Sequence, residues 1–108
     1  MTIKVCGITR AEDAHLAAAL GVNAVGFVLW PQSPRALTLD AVRALVSTLP
    51  PFVVRVGVFV DPAPDEIEQA REAGIQVAQV HGAAPLLPPG MALLQAHAFP
   101  ELVYQLQA

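Results

Sequence analysis

Apolar, β-branched runs recur along the chain at Ile3–Cys6, Asn23–Leu29, Val53–Val60, Ile75–Val80 and Met91–Ala98, with helix-patterned stretches between the first four. This alternation restricts the fold more than any other feature. Near-continuous hydrophobic strands separated by helices belong to a parallel sheet buried on both faces. The first four strand ends deliver Cys6-Gly7, Trp30-Pro31, Asp61-Pro62 and His81-Gly82. In a parallel sheet these loops share one edge, where α/β folds place their chemistry. The expectation is an α/β fold of the (β/α)8 TIM-barrel family. A complete barrel takes at least about 200 residues. With 108 residues, only about the first five βα units are expected, as one partial barrel domain over residues 1–108.

Local signals set the expected boundaries. Thr9-Arg10-Ala11-Glu12 matches a capping box and opens a helix over Ala11–Leu20, closed by Gly21. Pro31 and Pro34 keep Trp30–Arg35 out of both helix and ladder. Thr38 caps a second helix, with Leu37 and Val42 spaced as a hydrophobic staple, and Pro50-Pro51 follows its end near Thr48. Asp61-Pro62 reads as the initiation of a third helix over Asp65–Ala73, closed by Gly74. The three prolines within Ala83–Gly90 limit a fourth helix to a turn or two around Leu86 and Leu87. Pro100 opens a last helical segment, Glu101–Gln107.

Composition removes several function classes. Hydrophobic residues make up 55% of the chain and charged residues 14%, which assures a packed core. No apolar run reaches the roughly 18 residues of a membrane helix, and no signal-peptide pattern opens the chain, so a cytoplasmic protein without membrane contact is expected. The single cysteine can form no internal disulfide, in keeping with a reducing compartment. A net charge of −3 without any Lys/Arg cluster argues against nucleic acid as a partner. A small anionic ligand is compatible, because one arginine and a few backbone amides can hold a carboxylate or phosphate.

Cys6, Arg35 and His81 are the candidate site residues. Cys6 ends a buried strand; a reactive thiolate and a small buried hydrophobe are both compatible with that position. Lys4, two residues earlier, points to the same face of the strand, at a distance the sequence does not give. Arg35 follows Ser33-Pro34 in a stiff loop, where a guanidinium can clamp a carboxylate with two parallel hydrogen bonds. His81 precedes Gly82 and could serve a ligand or a buried carbonyl. His15 and His97 receive no role, and Trp30 and Met91 read as packing.

With these loops in view, the sequence resembles the phosphoribosylanthranilate isomerases of tryptophan biosynthesis. The resemblance rests on Lys4-Val5-Cys6-Gly7-Ile8-Thr9, Ala24-Val25-Gly26-Phe27-Val28 with Ser33-Pro34-Arg35, Val56-Gly57-Val58-Phe59-Val60 and Val77-Ala78-Gln79-Val80-His81-Gly82, and runs from Ile3 to about Phe99. It implies an Amadori rearrangement of N-(5-phosphoribosyl)anthranilate to 1-(2-carboxyphenylamino)-1-deoxyribulose 5-phosphate, with no metal and no organic cofactor. It also implies that Cys6 is the general base at the second sugar carbon, that Arg35 holds the anthranilate carboxylate, and that His81 lies against the substrate. The family's general acid, an aspartate beyond strand five, and its glycine-rich phosphate loops after strands seven and eight have no counterpart in the 108 residues. The chain is therefore expected to be incomplete for catalysis. The alternative is a non-catalytic half-barrel that associates with itself, or with a missing C-terminal half, through open sheet edges. A different sugar-phosphate barrel enzyme is disfavoured by the combined Cys6 and Arg35 loops.

Overall fold

The computed structural model describes residues 2–96. Strands β1 (Lys4–Val5), β2 (Ala24–Val28), β3 (Val54–Val60), β4 (Val77–His81) and β5 (Ala92–Ala96) form one sheet in chain order, every neighbouring pair parallel. Helices α1 (Ala11–Ala19), α2 (Leu39–Thr48) and α3 (Pro64–Glu72) make the first three crossovers. Sequential parallel strands joined by helices are the barrel topology expected from the sequence.

The register sorts side chains onto two faces. Rows Lys4–Ala24–Val54, Gly26–Val56–Val77–Ala92, Val28–Val58–Gln79–Leu94 and Val60–His81–Ala96 lie on one face, the inner one. The opposite face carries Val25, Phe27, Phe59, Ala78 and Val80, which join Ala14 and Ala17 of α1, Val42 and Leu45 of α2 and Ile67 and Ala70 of α3 in the main core. Phe27, Ile67, Val25, Val42 and Val80 are its largest fully buried side chains. Burial of each is worth about 1.5–3 kcal/mol, so the helices are held to the sheet chiefly by this layer.

Several boundaries depart from the sequence-based expectations. The Thr9 capping box does not form: Arg10 occupies the N-cap with extended backbone and no side-chain cap, and Glu12 pairs with the Arg10 guanidinium at 2.9 Å instead. Just before this point the Gly7 and Ile8 amides both bond to the Gly26 carbonyl in the middle of β2, and the helix starts at Ala11 as expected, ending one residue early at Ala19. Thr38 does cap α2, its Oγ1 accepting the Ala41 N–H at 3.1 Å, while Val42 is buried and Leu37 packs on the core as the staple requires. Asp61 does not initiate α3. Ala63 is the N-cap, Pro64 the first helical residue, and the Glu66 carboxylate accepts the Ala63 N–H at 3.3 Å. β4 begins at Val77, two residues later than expected, and takes in His81. No helix forms between β4 and β5; Pro85, Pro88 and Pro89 supply no amide there. The end of the expected fifth strand at Ala98, His97 and the Glu101–Gln107 helix lie outside the described residues.

Among the described residues, no helix is long and apolar enough to cross a membrane.

The two caps give opposite expectations. Thr38→Ala should cost about 1 kcal/mol, whereas Arg10→Ser, which supplies the missing cap, should add stability of the same order. Urea denaturation of each variant against the parent chain checks both signs.

Candidate active site

Cys6 lies just past β1, on the inner face, and is 7% exposed. Gly7, at φ 82°, turns the chain immediately afterwards, a conformation that favours glycine. The amides of Gly7 and Ile8 then bond to the Gly26 carbonyl at 3.1 and 3.2 Å and fix the thiol over β2. Gly26 makes the room. A Cβ there would lie 3.0 Å from Sγ and 3.3 Å from the Cys6 Cα. Val28 and Val58 complete a small inner-face cluster with the cysteine.

Lys4 sits two residues before Cys6 on that face, and its ammonium donates to Oε1 of Gln79 on β4. Gln79 is the one buried polar residue of the described chain, at 8% exposure. Burial holds the Lys4 ammonium below the usual lysine range, with Cys6 acting in the opposite sense. His81 occupies the next inward position of β4. Its Nε2 is, among the described residues, the only buried side-chain polar atom without a hydrogen-bond partner. Burial first, and the Lys4 charge second, push the imidazole below its ordinary value, so it is neutral at neutral pH. Every other inward-facing residue of β2, β3 and β5 is apolar.

Arg35 stands on the same rim, in the loop between β2 and α2. The loop is pinched shut by Leu29 N–H to the Val58 carbonyl and Leu37 N–H to the Val28 carbonyl, both 2.9 Å. Within it, the Arg35 N–H donates to Ser33 Oγ at 3.1 Å. The other arginines are occupied: Arg10 by Glu12, Arg43 by Asp40, Arg71 by Glu68, and Arg55 by the Val53 and Leu49 carbonyls. Among the described residues, the exposed Arg35 guanidinium alone has no such partner.

Asp61, read from sequence as a helix initiator, instead ties two strand ends together. At φ 43° it adopts a left-handed conformation that aspartate tolerates better than most residues. Its N–H donates to the His81 carbonyl at 3.0 Å, and its Oδ1 accepts the Ala83 N–H at 2.8 Å. Gly82, at φ 84°, is required above this carboxylate, because a Cβ would come within 2.2 Å of Oδ1. Sequence reasoning also passed over Gln79 and Gly26 as site residues. Each left a signal: a lone polar residue in the run Val77–Val80, and a glycine inside a strand, which marks close backbone approach.

A cavity of about 230 Å³ lies on the helix-bearing side, lined by Leu37, Leu39, Phe59, Glu66 and Gln69 among others, and includes none of Cys6, Arg35 or His81. Among the described residues, no three His, Cys, Asp or Glu side chains gather closely enough to hold a metal ion.

A parallel sheet in chain order, with a thiol, an imidazole and an unpaired guanidinium at its carboxyl rim, defines a (β/α)-barrel protein seen over five strands. Residues 3–100 match the family model for N-(5'-phosphoribosyl)anthranilate isomerase. The isomerase of Chlorobium luteolum is 56% identical over 81 residues, covering 74% of this chain and 37% of its own length. The phosphoribosyl anthranilate isomerase structure from Thermus thermophilus superposes with a TM-score of 0.73 at 56% identity, over 79% of this chain and 43% of the other. A further isomerase structure, in complex with reduced 1-(o-carboxyphenylamino)-1-deoxyribulose 5-phosphate, gives 0.74 at 42% identity over 79% and 44%. The chain belongs to the N-(5'-phosphoribosyl)anthranilate isomerase family. The match spans about two fifths of the length of these relatives.

Two outcomes follow from the geometry. Gly26→Ala should cost about 1–3 kcal/mol by overpacking against Cys6, read from the urea midpoint. The depressed His81 gives a signed pH dependence. The unfolded state takes up its proton below about pH 6.5 while the folded state resists, so this contribution to stability is present above that pH and lost as pH falls towards the lowered folded value. The stability difference between wild type and His81→Gln should accordingly change across mildly acidic pH; a constant difference would contradict it.

Proposed function

We propose that this chain carries the base and the carboxylate clamp of a phosphoribosylanthranilate isomerase site, and that turnover needs strands and loops beyond the five strands described. The observation that carries the reading is the convergence of Cys6, a half-buried lysine and a neutral, unpartnered imidazole on one face of the sheet. Family membership supports the substrate, N-(5-phosphoribosyl)anthranilate, and the Amadori rearrangement; a relative is solved with a reduced form of the corresponding ketose phosphate.

The chemistry divides as follows. A general acid protonates the ring oxygen, opening the sugar to an iminium. The Cys6 thiolate then removes the proton from the second carbon, giving an enolamine that tautomerises to the aminoketose. Arg35, unpaired and exposed on the rim, holds the anthranilate carboxylate through parallel hydrogen bonds. The free Nε2 of His81 bonds to the substrate. The acid and the phosphate loops belong to later strands. The protein works in the cytoplasm without metal or organic cofactor.

The second reading concerns assembly. β1 and β5 each pair on one side only among the described residues, and Ile3, Leu93 and Leu94 near these edges are 46–47% exposed. Unpaired edges of this kind recruit further strands, so the isolated chain is expected to self-associate unless a complementary half covers them. Sedimentation at micromolar concentration checks this; a clean monomer would count against it.

The catalytic reading is tested by mixing the 108-residue chain with a segment of the Chlorobium luteolum isomerase that supplies the strands after β5. No turnover is expected from either piece alone. The reconstituted pair should turn over, Cys6→Ser should reduce kcat by about 10²–10⁴-fold, and Arg35→Met should act mainly on KM. Undiminished turnover with Cys6→Ser would overturn the assignment of the base.

A further inference from the structure

We propose that Lys4 is a positioning residue for the thiol chemistry: its ammonium, tethered by Gln79, is the counter-charge that stabilises the Cys6 thiolate. The inference rests on the reading of Cys6 as a base and explains how a thiol could fill that role at neutral pH, where a free thiol is mostly protonated.

Lys4 starts one register row below the cysteine, alongside Ala24 and Val54. Its ammonium does not stay there. Gln79 pairs in register with Val58, and Val58 with Val28, and these two valines are the residues that pack against Cys6. Reaching Gln79 Oε1 therefore carries the ammonium up the inner face to the row against which the thiol packs. The charge is thereby brought to the row of valines against which the sulfur packs.

A half-buried cation still gains from compensation, and the inner face offers little. Gln79 satisfies one donor but carries no charge. The strands place no Asp or Glu on this face: β2, β3 and β5 present only apolar residues, and β4 adds Gln79 and His81. At the rim, Arg35 and His81 are the wrong sign or neutral, and the Asp61 carboxylate is occupied by the Ala83 amide. The Cys6 thiolate is the one anion that the described inner face can supply. The opposed effects of burial and Cys6 on the Lys4 ammonium agree with this pairing.

A lysine present only to pack against Gln79 would behave differently. An apolar pair in place of a buried polar pair often costs no stability, so the functional and structural roles separate on two readouts. Thiolate absorbance near 240 nm reports Cys6 alone, because the chain has one cysteine; Cys6→Ser supplies the blank. At about pH 8, the absorbance should fall about tenfold in Lys4→Gln, which keeps a donor to Gln79 but loses the charge, and recover in Lys4→Arg; thiolate stability responds to neighbouring cations in this way. The double variant Lys4→Met, Gln79→Leu should lose the absorbance with a thermal midpoint at or above wild type. Absorbance within twofold of wild type in a folded Lys4→Gln or double variant would overturn the proposal, as would failure of Lys4→Arg to recover the signal. If both neutral variants lost the fold, Lys4 would be structural and the proposal would fall. The reading of Cys6 as base stands or falls separately, on whether Cys6→Ser abolishes turnover in the reconstituted barrel.

Discussion

A parallel strand pairs with its neighbour in a fixed register, and the period of two then assigns each side chain to a face. That constraint organises the whole molecule. One face packs Phe27, Phe59 and Val80 against the helices, and its burial supplies most of the cohesion. The other gathers Lys4, Cys6, Gln79 and His81 among valines and alanines. A slip of one residue in β1 would send Lys4 and Cys6 to the helix side and Val5 inward. The chemistry is thus hostage to the same pairing that builds the core.

The sequence was most legible where a single physical rule dominates. Apolar runs and helix patterning located all five strands and three helices, and Thr38 capped α2 as its spacing required. The motif cysteine was found at a strand end, and His81 on the same sheet edge. Tertiary context defeated the rest. Thr9 looked like a cap, but the backbone just before it is committed to the Gly26 carbonyl, so Arg10 takes the position. Asp61 precedes a proline in the manner of a helix start, yet its partner is an amide 22 residues away. No local pattern announces a bond of that span. The Lys4 to Gln79 contact joins residues 75 apart, and is visible only once four strands are in register.

The site also carries a tension between stability and chemistry. Partly burying an ammonium beside a neutral amide costs solvation that an apolar pair would not. His81 adds to this, because its buried Nε2 has no partner among the described residues. Both features sit where barrel proteins put reacting groups rather than in the helix-facing core, where polar atoms are satisfied. Positions that weaken the fold in this way are the positions expected to repay it in binding.

The Asp61 lock has a mechanical consequence. Because its amide and carboxylate hold both the His81 carbonyl and the Ala83 amide, the carboxyl ends of β3 and β4 form a single rigid segment of the rim. The loop bearing Arg35 is anchored only at its base, by Leu29 and Leu37. Insertions and deletions are therefore absorbed by the Arg35 loop, whereas a change of length next to Asp61 or Gly82 is transmitted directly to the imidazole. The rim divides into one jaw that can be remodelled and one that cannot.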